Sequence, residues 1–264
     1  MNPMILAYAF CNVSVMPVRA EPAHRAEQTT QLLYGEKAEV LEINNKDWAR
    51  IRGQWDGYEG WCKVAQLAIV TKKEYRKEVR YIAAGINDKI LSDTGNTWLP
   101  LGSDLYNLKG GLLKILNETG KYKGSKQKIA DAILTCESLK NAALQYLHAP
   151  YLWGGRSIAG IDCSGLTQMA FKLCNLPIPR DASQQALEGE MVGFLQSAKC
   201  GDLAFFDEKE GRINHVGLLL SSDLILHATD TSGRVVIDSI DQGGIISKSL
   251  KRRTHNLRVV KRLF

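Results

Sequence analysis

Residues 151–166 read Tyr-Leu-Trp-Gly-Gly-Arg-Ser-Ile-Ala-Gly-Ile-Asp-Cys-Ser-Gly-Leu, and this stretch constrains the fold most. A glycine-rich loop runs into Asp162-Cys163-Ser164-Gly165 and then into an apolar run. Leu166, Met169, Ala170 and Leu173 fall at i, i+3, i+4 and i+7, one face of a helix. Cys163 is thereby predicted in the first turn of a buried helix, with Asp162 as N-cap. The positive end of a helix dipole favours thiolate over thiol. Thiolate is the nucleophilic form, so the spacing points to a cysteine nucleophile.

Such a cysteine needs a base and a group that orients the base. Five histidines are available, His24, His148, His215, His227 and His255. His215 opens the apolar run Val216-Gly-Leu-Leu-Leu220, and His227 ends Leu224-Ile-Leu. Ser221-Ser222-Asp223 lies between them as a turn. A hairpin centred on Ser221 sets position 215 opposite position 227, both side chains on one sheet face with Cβ atoms roughly 5 Å apart. One imidazole is then the base and the other its partner, the logic of a Ser-His-Asp triad in other residue types. A zinc site on Cys163, His215 and His227 also suits the residue types, but no other ligand spacing supports it. Tyr151 is either a packed aromatic or a hydroxyl that joins the Cys163 backbone N–H in holding an oxyanion.

Around this stretch the pattern divides the chain. Residues 1–70 read as short strands: Val13 to Val18, Leu32-Leu33-Tyr34 turning at Gly35, Ala38 to Ile43, Trp48 to Ile51 and Trp61 to Val64. Met1 to Phe10 is mildly apolar and joins this first domain. Five strands in so short a span suggest a small barrel. Residues 71–127 hold a charged stretch, Lys72 to Arg80, and two candidate strands, Thr97 to Gly102 and Leu112 to Leu116. Residues 128–264 change to helices first, at Ile129 to Leu134, Leu139 to Leu147, the Cys163 segment and Ser183 to Glu190. Strands follow at Leu203 to Phe206, His215 to Leu220, Leu224 to His227, Val235 to Asp238 and Leu257 to Val260. That order is an α+β layout, helices packed on an antiparallel sheet.

Charge and cysteine usage exclude several classes. The net charge is +6 without a long Lys/Arg block, so nucleic-acid binding is disfavoured. No two of the six cysteines form a C-x-x-C pair, which argues against zinc knuckles and thioredoxin motifs. The thiols fit a reducing compartment. No stretch is long and apolar enough for a membrane span. The first eighteen residues hold no Lys or Arg, so a cytoplasmic location is expected, with the cell envelope as the alternative if a signal has been removed.

The strand order Leu-Tyr-Gly-Glu, Trp-Ala-Arg-Ile, Gly-Tyr-Glu-Gly-Trp resembles the bacterial SH3-like domain, and residues 71–127 are expected as a second, diverged barrel. Pro-Tyr-Leu-Trp-Gly-Gly, Asp-Cys-Ser-Gly-Leu, Pro-Arg-Asp-Ala-Ser-Gln-Gln, Gly-Asp-Leu-Ala-Phe-Phe, Asn-His-Val-Gly and Leu-His-Ala resemble the NlpC/P60 family over about residues 130–264. The resemblance implies a papain-like cysteine peptidase of bacterial cell-wall peptides. Cys163 would be the nucleophile, His215 the base and His227 the orienting residue, with no metal or organic cofactor and a monomeric chain. With SH3-like barrels in front, the chain resembles the subgroup cutting the γ-D-glutamyl-L-diamino acid bond of peptides with a free N-terminal L-alanine. That implies thiolate attack on the D-Glu γ-carbonyl, an acyl-enzyme, and release of L-Ala-γ-D-Glu. Tyr58 and Glu27 are expected near the substrate ammonium, with Glu21 and Glu36 as rivals, and Asp162, Ser164 and Asp181 complete the pocket. Ala182 stands where some relatives carry serine. The alternatives from other classes are a catalytically inactive wall-binding protein and an acyltransferase or amidase on the same scaffold.

Overall fold

The computed structural model describes residues 4–115, 118–207 and 211–264. It divides into two compact units, Met1–Ala132 and Ile133–Phe264.

In the first unit a seven-stranded antiparallel sheet runs in the order Gln28–Leu33, Val15–Arg19, Glu59–Lys63, Trp48–Gly53, Lys37–Ile43, Ala7–Cys11, Leu67–Val70. Alternate residues of all seven strands meet in one core: Ala9, Cys11, Met16, Val18, Leu32, Ala38, Val40, Ala49, Ile51, Cys62 and Leu67. The period-2 pattern read in the sequence is this inward face. Of the apolar start, residues 4–10 are described and supply the strand Ala7–Cys11, while Met1 to Pro3 lie outside the described residues.

A second β layer follows. Its four-stranded sheet runs Gly95–Trp98, Lys89–Ser92, Glu118–Lys123, Leu112–Ile115, and Tyr81–Ala83 pairs with Lys126–Lys128. Ala83, Ile90, Leu99, Leu105, Leu113 and Tyr122 pack with Tyr34 in its core. The strand expected over Thr97 to Gly102 stops at Trp98, because Pro100 turns the chain and its carbonyl accepts the Ser103 N–H at 3.0 Å. Leu116, expected to end the next strand, lies outside the described residues. The helix expected over Ile129 to Leu134 is also absent. Ile129–Asp131 makes one 3₁₀ turn, and the α-helix starts at Cys136, where Thr135 and Ser138 form a capping box. Ile133 is 71% exposed and Ile129 and Leu134 are only half-buried, so the segment offers no fully buried apolar face to hold a helix.

In the second unit the helices Cys136–Leu144 and Cys163–Leu173 pack together, and the latter lies on the strands Ile213–Leu219 and Leu224–Thr229. The sheet order is Glu190–Val192, Arg252–Arg262, Leu203–Asp207, Ile213–Leu219, Leu224–Thr229, Arg234–Asp241, Gly244–Ser247. Gly244–Ser247 also pairs with Arg252–Arg262, so six strands close into a barrel. The expected antiparallel sheet is therefore a ring, because the long last strand pairs on both sides. The helix expected over Ser183 to Glu190 shortens to Ala182–Gln185. Among the described residues no helix is long and apolar enough to cross a membrane.

Candidate active site

Cys163 is the first residue of its helix, and Asp162 caps that helix by accepting the Gly165 N–H at 2.7 Å. All eleven helix residues are buried, not only the apolar face. Among the polar ones, Thr167 donates to the Ser164 carbonyl at 2.9 Å and its Oγ1 lies 2.7 Å from Gln185 Oε1. Gly165 cannot be replaced without moving backbone, since a Cβ there would lie 2.2 Å from the Gly155 carbonyl oxygen. The glycine-rich loop therefore lies directly against the first turn.

Asp162 also accepts the Gly154 N–H at 2.8 Å and an Arg180 N–H at 2.6 Å. Arg180 is buried and donates from its other terminal nitrogen to Ser164 Oγ at 2.8 Å. Asp162 and Ser164, expected as substrate contacts, also bind the scaffold that holds the cysteine. Asp181, the third, is half-buried at the start of Ala182–Gln185 without capping it. Arg180 stands within Pro-Arg-Asp, where a lone arginine carries no sequence sign that it will be buried.

The helix dipole favours thiolate, and burial acts against it. Burial, with Asp162 adding to it, pushes the Cys163 thiol up to about 12, against the opposing pull of the Val216 N–H, Arg180 and the Ser164 N–H. The Val216 contact sets the thiol beside the strand position next to His215. His215 is held well below the ordinary histidine range by burial and by the charges His255 and His227 would carry.

His215 Nε2 lies 2.9 Å from His227 Nδ1, and His227 Nε2 lies 3.3 Å from Asp238 Oδ2. The hairpin is not centred on Ser221. Leu218 pairs with Leu226 and Leu219 with Ile225, which moves the axis to Ser222. Continuing that register sets Gly217, not His215, opposite His227. Parity is preserved, so His215 stays on the same face as a diagonal neighbour, within reach of a ring. On the other side His227 pairs with Val236, and Asp238 is again a diagonal neighbour. The two outer strands run parallel to each other, so the two diagonals make one line across three strands. A Cβ at Gly217 would lie 3.0 Å from His227 Cβ and 2.6 Å from Ile225 Cδ1, so only glycine leaves His227 in place.

His255, from the barrel-closing strand, stacks on His215 with ring centroids 4.1 Å apart and 22° between planes. Burial and His227 push its pKa down to about 4. Neither Asp238 nor His255 was assigned a role in the sequence; each reaches the site through a pairing that spacing near the cysteine does not reveal. Burial and the nearby Cys163 and Asp162 push the Tyr151 phenol up, so it stays a donor in range of the thiol. Among the described residues no group of His, Cys, Asp and Glu is arranged to hold a metal ion.

The residues expected at the substrate ammonium lie in the first unit. Glu27 and Glu21 are exposed and Tyr58 is half-buried. The rival Glu36 is buried and accepts the Leu33 N–H at 2.8 Å, which ties it to its own turn.

The NlpC/P60 family profile matches residues 148–254. A bacterial dipeptidyl-peptidase SH3 domain profile matches residues 18–67, a span that contains Glu27 and Tyr58. The chain is 31% identical over 226 residues to the gamma-D-glutamyl-L-lysine dipeptidyl-peptidase of Bacillus subtilis, covering 79% of this chain and 74% of that protein. It is 30% identical over 247 residues to dipeptidyl-peptidase 6 of Lysinibacillus sphaericus, covering 84% and 88%. The crystal structure of an NlpC/P60 family protein from Bacillus cereus superposes with a TM-score of 0.80 over 97% of this chain and 99% of that one; at 18% identity this is a likeness of fold.

Proposed function

The chain belongs to the NlpC/P60 family, and from that premise we propose that it is a cysteine peptidase cutting the γ-D-glutamyl-L-diamino acid bond of peptidoglycan stem peptides. The observation that carries this reading is the line His215–His227–Asp238, which ends beside the Cys163 helix. Sγ gives up its proton to His215 and attacks the D-Glu γ-carbonyl as thiolate. His215 Nε2 faces His227, so Nδ1 is the ring nitrogen left to take that proton. The oxyanion is held by the Cys163 backbone N–H and the Tyr151 hydroxyl. Imidazolium returns the proton to the departing amine of the diamino acid. His215 then deprotonates a water, which hydrolyses the thioester and frees L-Ala-γ-D-Glu.

The same reading assigns the free L-alanine amine to Tyr58 and Glu27 of the SH3 domain, with Glu21 and Glu36 as rivals. A desolvated ammonium requires such anionic and hydroxyl partners. Mass spectrometry of L-Ala-γ-D-Glu-diamino acid tripeptide, incubated with the protein and with Cys163→Ala, tests the chemistry. Cleavage only by the parent is expected; equal cleavage by the variant refutes it. Acetylation of the alanine amine should suppress turnover, and an unchanged rate would remove the amine-recognition part alone.

A further inference from the structure

We infer that Asp238 is a positioning residue of this reaction: its carboxylate fixes the tautomers of His227 and, through it, of His215, so that the nitrogen facing the thiol is the basic one. The inference rests on the peptidase reading but concerns a residue two hydrogen bonds away from the base.

The argument is one of proton counting. A carboxylate only accepts, so a hydrogen bond between Asp238 Oδ2 and His227 Nε2 requires the proton on Nε2. When the His227 ring carries a single proton, Nδ1 is then bare and accepts, which puts the proton of the 2.9 Å contact on His215 Nε2. A neutral imidazole carries one N–H, so His215 Nδ1 is left with its lone pair free. Each step is forced by the one before, and the carboxylate starts the series.

Asp238 is suited to the task. It is 4% exposed, and its other oxygen accepts the Lys248 backbone N–H at 2.9 Å. Burial opposes its charge, yet the His227 bond and the Lys248 N–H hold the carboxyl below its ordinary value. His255 also feels this charge. When His215 becomes imidazolium during attack, the carboxylate offsets that charge through His227 as a fixed, preorganised anion. In the serine-protease triad, making the equivalent carboxylate an amide costs about 10⁴ in kcat through the wrong tautomer. Here the carboxylate stands one imidazole further out, and a loss of about 10²-fold is expected.

Asp238→Asn keeps an oxygen for the Lys248 N–H but offers an N–H₂ group to His227. The expected result is kcat down about 100-fold with KM within about twofold. The acid limb of kcat/KM moves to lower pH, because an anion that favours imidazolium is gone. A residue that only props up the fold would lower the rate without moving that limb. In a His227→Ala background, Asp238→Asn should cost nothing further. Independently of turnover, ¹⁵N NMR of the ring nitrogens in the parent protein should show His227 and His215 both protonated at Nε2. A folded Asp238→Asn within threefold of the parent rate and with an unmoved acid limb overturns the inference. So does an additive loss in the double variant, or a His227 proton found at Nδ1. If the parent fails to cut stem peptides while the tautomers are as stated, the proposed function falls and the positioning role does not.

Discussion

Adding one methyl group at Gly217 tests whether the diagonal of imidazoles needs the empty space beneath it. An alanine Cβ would lie 2.6 and 2.7 Å from Ile225 side-chain carbons and 3.0 Å from His227 Cβ, short of ordinary contact by about 0.8 to about 0.4 Å. Ile225 and His227 are fully buried and have no solvent to swing into. Overpacking of this kind costs about 1–3 kcal/mol. For a unit the size of Ile133–Phe264, roughly 3–5 °C of melting temperature goes with each kcal/mol, so a fall of roughly 3–15 °C is expected. His227 must yield by a few tenths of an ångström, which spoils the 2.9 Å contact to His215. Misplacement of about 1 Å costs up to ~10²-fold in rate, so about tenfold in kcat is expected, at 25 °C where the variant is folded. The assay pairs circular-dichroism melting with mass-spectrometric release of the diamino acid fragment. Gly193→Ala is the control, since a Cβ there meets nothing within 4 Å. A Gly217→Ala protein that melts and turns over like the parent would refute the reasoning.

Arg180→Met leaves Asp162 buried without its cation, and a loss of about 3–5 kcal/mol is expected by denaturant unfolding; a change under 1 kcal/mol would show that the pair does not hold the helix start. Tyr151→Phe removes one oxyanion donor, and kcat should drop by about 10²–10³-fold with KM little changed; a shift confined to KM would assign Tyr151 to binding instead. His255 remains neutral in the fold down to about pH 4 but takes a proton near pH 6.5 when unfolded. The unfolded chain therefore binds more protons in that window, and stability falls as pH drops from about 6.5 toward 4. His255→Gln removes that contribution, so its melting temperature should fall less than the parent's between pH 7 and pH 5; an equally steep fall would show that His255 does not titrate on unfolding.

What the sequence makes legible is local. Asp-Cys-Ser-Gly followed by an i, i+3, i+4, i+7 face gives the helix start, its cap and its nucleophile, since all are set within one turn. Two histidines flanking a short polar turn give a shared sheet face, because parity survives a shift of two residues. The register does not survive, because the loop spans Ser221 to Asp223 and Leu220 N–H bonds to the Leu224 carbonyl at 2.9 Å. Other parts are illegible for one physical reason: they depend on partners brought in by pairing. Asp238 needs the register of the next strand, His255 needs the ring to close, and Arg180 needs a neighbouring carboxylate to be worth burying. A helix start favours thiolate, whereas the burial and the Asp162 charge that raise the Cys163 thiol belong to the packed surroundings.

His255, the ring against which His215 lies flat, belongs to Arg252–Arg262, the strand that meets Leu203–Asp207 on one side and Gly244–Ser247 on the other. One strand therefore has two duties: it covers the hydrogen-bonding edge of Leu203–Asp207 and supplies the plate on which the His215 ring rests. A change that frees that strand bares a sheet edge and unseats the imidazole together.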